Sequence, residues 1–480
     1  MAKDTIKGAN PFMPLWEHVP DGEPRVFEFN GEKRVFLYGT HDMQLSFPCG
    51  TNYVVWSAPE KDLTNWTCHG ICYNAPDANP MFAPDVVKKG DTYYLYAAEK
   101  CNSRITVSKS KSPVGPFTDT VVAEVGSDVG VYVDDDEKAY AYWGYCSAFC
   151  AQLNDDMATI KKETLQTDYV KCYRRKPSGD GNGETLSESG FFEAASMRKI
   201  CGKYVLIYSK CYTEGLDDYG VNPPCSMFLS YKYADSPLGK FHDGGDISFN
   251  CGEIIKDHRG KHVPTYQYGN NHGSLACLDG QWYVFYHRHT NGSEGNSTAR
   301  QAMLEPVDVA IDKNGRLFIG NITYKDDEPI SSSPVEMTSQ GPHLNGIDAY
   351  KNIPAAYTCH ISGENTDAYV KTPYYPMFES QACVTNIKNK TIVGFKYLQF
   401  GDDSAKSVSI RVTGIDDMIV NVRKHAHDGE IIAVIKVPKG STEASAQLFG
   451  EITGKNAIYF EFLFNSNEAG VDFHSFDFDK

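Results

Sequence analysis

Over the first 320 or so residues, short apolar runs rich in Val, Tyr and Phe come in pairs, each pair joined by a tight polar turn. Paired runs of this kind predict β-hairpins. The first is Arg25 to Phe29, the turn Asn30-Gly31-Glu32, then Arg34 to Tyr38. The second is Val86-Val87, Lys89-Gly90-Asp91 and Thr92 to Tyr96; the third is Val129 to Val133, Asp134-Asp135-Asp136 and Ala139 to Trp143. The fourth runs Ala195 to Ile200, Cys201-Gly202-Lys203 and Tyr204 to Tyr208, and the fifth Ser274 to Leu278, Asp279-Gly280 and Gln281 to Tyr286. Each hairpin opens on a polar residue: Asp21, Asp85, Asp128, Glu193 and His272, at separations of 64, 43, 65 and 79 residues. That is an internal repeat at propeller-blade spacing, with insertions. In a β-propeller the innermost strand of each blade lines a central funnel. The five opening residues are therefore expected to converge on one axis, and carboxylates gathered there are costly unless they do chemistry or hold a cation.

The segments between the hairpins fit the same architecture. Residues 105–119 and 228–243 each carry a Ser-Pro followed by Gly-Pro-Phe or Gly-Lys-Phe, turn chemistry between outer strands. Residues 298–319 complete the last blade around an Asn314-Gly315 turn, which puts Arg300 near the centre. Insertions rich in Gly, Asp and Asn at 172–190, 211–225 and 256–271 are placed to shape the mouth of a pocket. Asp134-Asp135-Asp136 reads as a hairpin tip rather than a cation site, and Trp143 as either a sugar platform or a packed aromatic. From residue 346 to 480 short alternating runs such as AIYFEFLF and VDFHSFDF follow one another with no helical period, a β-sandwich signature. The predicted organisation is all-β: a five-bladed propeller over 1–325, a linker over 326–345 and a smaller sandwich over 346–480.

Composition narrows the function. A net charge of −16 argues against a nucleic-acid or anionic-lipid partner and favours a neutral ligand. No run approaches the roughly 18 apolar residues of a membrane span. The first residues carry no apolar signal core, so a cytoplasmic location is expected, with the 14 cysteines reduced. Cys68/Cys72 and Cys146/Cys150 are spaced C-x3-C, not the C-x2-C usual in zinc sites, and read as buried thiols.

Taken together, PDGEPRVF, MFAPDVV, SGFFEAASMRK, NNHGSLACLDGQWYVFYHR and ARQAMLEPV resemble glycoside hydrolase family 43 over about residues 10–320. AIYFEFLFNSNEAGVDFHSFDF resembles the closing strands of carbohydrate-binding modules of the family 6 type. The resemblance implies a five-bladed propeller that hydrolyses glycosidic bonds with inversion. It implies Asp21 as general base, with Glu23 as a rival for that role. It assigns Asp85 as the carboxylate that tunes pKa and orients substrate, Glu193 as general acid, and His272 as a histidine near the axis, often beside calcium. Phe82, Trp143, Phe192 and Arg300 are expected to bind the sugar.

The chemistry calls for the same division of labour. Inverting hydrolysis requires one protonated carboxyl at the leaving oxygen and one ionised carboxylate to activate water, roughly 6.5–9.5 Å apart. Glu193 is flanked by Phe191, Phe192, Ala194 and Ala195, apolar company that favours its protonated form. The expected function is an inverting exo-acting pentosidase, α-L-arabinofuranosidase or β-xylosidase, on plant-derived oligosaccharides. Arabinan or galactan hydrolysis and a non-catalytic sugar-binding propeller are the alternatives. The missing signal core and the insertions at 172–190 and 256–271 favour the exo reading, since such loops wall a funnel into a pocket for one terminal sugar.

Overall fold

The computed structural model describes residues 6–43, 49–99, 104–177, 184–212, 225–257, 259–292, 299–364, 367–373, 382–413, 417–465 and 470–480. Parts of the insertions expected to shape the mouth of the pocket, 178–183, 213–224 and 258, lie outside the described residues. Five antiparallel sheets follow one another along the chain, and their innermost strands abut. Those strands are Glu23–Phe29, Met81–Lys89, Gly130–Val133, Gly190–Ile200 and Ser274–Leu278. In every blade the next strand in sequence is also the next in space, as tight hairpins require.

Local chemistry explains the hairpins. Phe29 pairs with Glu32, which leaves Asn30 and Gly31 as a two-residue loop at φ 52° and 79°. Cys201-Gly202 repeats this at 49° and 75°, and Asp279-Gly280 at 47° and 86°. Two consecutive positive φ values define the type I′ turn, whose twist matches that of the strands it joins. Glycine is favoured at the second position, where φ is the more positive, because it has no Cβ to crowd the backbone there.

One boundary differs from expectation. Asp326 and Asp327, at φ 51° and 63°, form another two-residue hairpin turn, and Glu328–Ser333 pairs back onto Leu317–Lys325. Blade V thus has five strands and ends at Ser333, so the connecting segment begins at Pro334 and not at 326. The polar residues around 326–333 looked like a linker because they form a solvent-facing edge strand, which alternation alone does not separate from a loop.

The C-terminal part is a β-sandwich. One sheet is built around Thr391–Gln399, Lys455–Phe464, Met418–Lys424 and Ile431–Val437, the other around Cys383–Ile387, Val471–Asp479, Ser407–Thr413 and Glu443–Gln447. Phe395, Phe460 and Phe476 meet between them at ring separations of 4.6–4.7 Å. This core does not stop at the sandwich. It is continuous with Val284 and Met303 of blade V through Val335 and Met337 of the connecting segment.

Candidate active site

The funnel holds two layers of charge. The deeper is an ion cluster. Asp85 is fully buried and accepts hydrogen bonds from Arg25 Nε at 3.0 Å and Nη2 at 2.7 and 2.6 Å. The backbone N–H of Val86 and of Val131 complete its shell at 2.6 and 2.7 Å. Beside it Glu23 accepts from Arg198 Nη2 at 2.7 Å, while Arg198 Nε bonds the Leu275 carbonyl. Two arginines and two carboxylates pair off and plug the axis. Asp85 is consequently held in the plug and is not among the residues lining the cavity above it, where its assignment from sequence would put it. Its strand starts at Met81, so Asp85 lies within the strand and below the funnel mouth rather than ahead of it. Glu23 is likewise committed to the plug.

Above the plug lies a cavity of about 410 Å³, lined by Asp21, Phe82, Asp128, Glu193, His272 and Arg300, with Cys49, Ala83, Ser127, Tyr145, Asn270 and His289. Asp21 lies two residues ahead of the first inner strand, at φ 56°. Its carboxylate accepts from Arg300 Nη1 at 2.8 Å and from Thr40 Oγ1 at 2.6 Å. Burial opposes ionisation here, but the Arg300 guanidinium outweighs it and holds the Asp21 carboxyl well below the usual range. Arg300 is itself fixed by Asp42, whose two oxygens accept from its Nε and Nη2 at 3.0 and 2.9 Å. The Asp21 backbone N–H donates to His287 Nδ1 at 3.3 Å, and His287 Nε2 lies 2.7 Å from the Asn270 carbonyl. A carbonyl can only accept, so Nε2 carries the ring proton. Burial drives the His287 pKa well down, consistent with a neutral ring.

Glu193 sits where blade IV breaks its register, between Phe191 and Ser196. Ala194 there has φ 66°, and such bulges re-aim side chains beside active sites. Burial raises the Glu193 pKa well above the carboxylate range, and the like charges of Asp128 and Asp21 add to it. Asp128, at φ 51° just ahead of blade III, accepts a hydrogen bond from the Ala194 backbone N–H. The same bulge therefore aims Glu193 into the cavity and supplies a donor to its neighbour. The outcome is one carboxylate stabilised as the anion and one carboxyl stabilised in the protonated form, in the same cavity.

The aromatic expectations divide. Phe82 lines the cavity. Trp143 does not: it is 8% exposed, stacks on Phe149 at 5.8 Å and belongs to the core between blades II and III. Tyr145, two residues on and 60% exposed, takes the rim position. Phe192 lies behind that rim, its ring 5.0 Å from Tyr145 and 5.7 Å from Tyr173. Sequence reasoning did not single out His287, His289, Asp42 or Thr40. The available signal was His287 and His289 at alternate positions of one strand that is apolar up to Tyr286.

His272 lines the cavity, but among the described residues no group of three or more His, Cys, Asp or Glu is placed to hold a metal ion. Asp134 is likewise taken up by Tyr132, Tyr204 and Lys199, as a hairpin tip. The described donors do not form a calcium cage, and no chemistry below depends on one.

Comparison with known proteins places the chain in a family. The profile of glycosyl hydrolases family 43 matches residues 31–314. A xylosidase/arabinosidase of Thermoclostridium stercorarium is 30% identical over 94% of this chain and 95% of its own. An arabinoxylan arabinofuranohydrolase of Paenibacillus polymyxa is 24% identical over 94% of this chain and 71% of its own. Among solved structures, a family 43 β-xylosidase/α-arabinofuranosidase from a compost metagenome, in a calcium-free form with xylotriose, matches 66% of this chain and 98% of its own at 23% identity and a TM-score of 0.46. The chain belongs to glycosyl hydrolase family 43 and is a glycoside hydrolase.

Proposed function

We propose that the chain is an inverting exo-glycosidase that releases terminal pentoses from arabinoxylan-type oligosaccharides, α-L-arabinofuranosides first and β-xylosides second. The observation that carries this reading is the split between Asp21, held ionised by Arg300, and Glu193, kept protonated by burial and by Asp128. A sugar in the cavity would present its leaving oxygen to Glu193, which donates the proton. Water on the opposite face of the ring would lose its proton to Asp21 as it attacks the anomeric carbon. Asp128 orients the sugar and, when ionised, favours the proton on Glu193; burial raises its own pKa as well. A non-catalytic sugar-binding propeller has no use for two carboxyl groups in opposite protonation states.

The pentoses are those in the names of the two relatives above, and the α and β linkages those that the resemblance to family 43 implies. A single pocket near the small end of the usual range of about 300–1,000 Å³ favours one terminal sugar over a polymer groove. A hydrated calcium beside His272, held mostly by water, belongs to the same reading; elemental analysis showing no bound metal, with activity unaffected by chelator, would remove it. The test of the reaction is proton NMR in the first seconds of hydrolysis, before mutarotation. Product of inverted configuration is expected, and retained configuration overturns the mechanism. Rapid fragmentation of linear arabinan or xylan into mixed oligomers overturns the exo assignment alone.

A further inference from the structure

Two strands of blade V have one face in the active site and the other against the sandwich. In Gln281–Thr290, His287 and His289 face the cavity side, where His287 contacts Asp21 and His289 lines the pocket. Successive strand side chains point to opposite faces, so Arg288 must point away. It is fully buried and donates through Nη1 to the Thr358 carbonyl at 3.0 Å and through Nη2 to the Ala356 carbonyl at 2.7 Å, both in the C-terminal part. Its Nε and Nη2 also bond Gln301 Oε1 at 3.1 and 2.8 Å. Gln301 pairs across the ladder with Arg288, while its neighbour Arg300 pairs with His289 and holds Asp21. Gln301 Nε2 in turn donates to the Leu15 carbonyl, in the segment leading to Asp21. The end of the same strand is bracketed by the sandwich: Asn291 donates to the Val370 carbonyl at 2.9 Å, and Thr372 donates back to Asn291 Oδ1 at 2.7 Å.

We infer that Arg288 is a positioning residue, through which the β-sandwich sets the placement of Asp21 and Arg300 for catalysis. The sandwich is then part of the active-site support. The inference rests on the reading of Asp21 and Arg300 as site residues. Packing alone would explain the buried apolar contacts. It would not require a buried arginine to spend its donors on two sandwich carbonyls directly behind the two histidines that face the site.

The test is Arg288→Met, with kinetics measured per folded molecule well below the midpoint of unfolding. Val420→Ala, in the sandwich core, is the stability control. The expected result is a fall in kcat/KM of about 10²-fold, the cost of misplacing a catalytic group by about 1 Å, with KM raised because Arg300 lines the pocket. Arg288→Lys, which can still donate to a carbonyl, is expected to recover at least about tenfold of that. Val420→Ala is expected to lower stability and leave kcat and KM at wild-type values. If Arg288→Met does not fold, Gln301→Met removes the same link from the opposite strand and is read in the same way. Wild-type kcat and KM in the folded variant overturn the inference. Because every value is a ratio to wild-type hydrolysis of whatever stereochemistry, failure of the inverting-pentosidase reading leaves this test standing.

Discussion

Replacing Asp128 with Asn removes an ionisable carboxyl from the cavity and almost no volume, and the amide oxygen can still accept the Ala194 N–H. Asp128 is the foremost like charge acting on Glu193, after burial itself. A like charge within about 6 Å at an effective dielectric of about 20 is worth about 2.8 kcal/mol, or about two pKa units. Burial raises the Asp128 pKa as well, so Asp128 carries less than a full charge and a fall of about one unit is expected, about 1.4 kcal/mol. The direction follows from the role of Glu193. Its folded pKa is raised, so the acid stays protonated above the ordinary glutamate range, and activity is lost as pH rises through that value. The assay is kcat/KM against pH with an aryl arabinofuranoside carrying a poor leaving group. In Asp128→Asn the alkaline limb should move about one unit toward acid. The acidic limb should stay far down, because Arg300 holds Asp21 ionised. An alkaline limb that stays put or moves to higher pH refutes the coupling, whatever happens to kcat.

Three further outcomes are expected. Glu193→Gln should lose about 10²–10⁴-fold in turnover on poor leaving groups and much less on activated aryl glycosides, as removal of a general acid requires; equal loss on both counts against that role. Asp85→Asn should cost about 3–5 kcal/mol in urea unfolding, because it leaves Arg25 buried without its carboxylate, while kcat per folded molecule stays near wild type; a large kcat loss in fully folded protein would put Asp85 back in the reaction. A fragment ending at residue 337 should not fold, although the repeat is complete by Ser333. It strands Arg288 without the Ala356 and Thr358 carbonyls and Glu305 without the 2.7 Å bonds from Thr338 N–H and Oγ1; a soluble fragment with a cooperative melt contradicts this.

The five hairpins were legible because their determinants are local. A pair such as Asn30-Gly31 or Asp279-Gly280 specifies a turn, and the apolar residues on each side specify strands, without reference to the rest of the chain. Asp21, Asp128 and Glu193 could be found because each opens a repeat. Choosing Asp85 over Asp128 was a matter of depth along the axis. That depends on where each inner strand begins, Met81 against Gly130, and on Arg25 arriving from another blade to neutralise Asp85. Trp143 and Tyr145 look equally suited to a sugar in the sequence; only the packing of Phe149 decides that Trp143 is core and Tyr145 rim. The clamp of Asp42, Arg300 and Asp21 joins residues more than 250 positions apart, and Arg288 reaches its carbonyl partners across a domain boundary. Local propensity and alternation thus determined which residues could face the funnel. Long-range pairing of charge and hydrogen bonds, which exists only once the blades have closed and the sandwich has docked, decided which of them meet there.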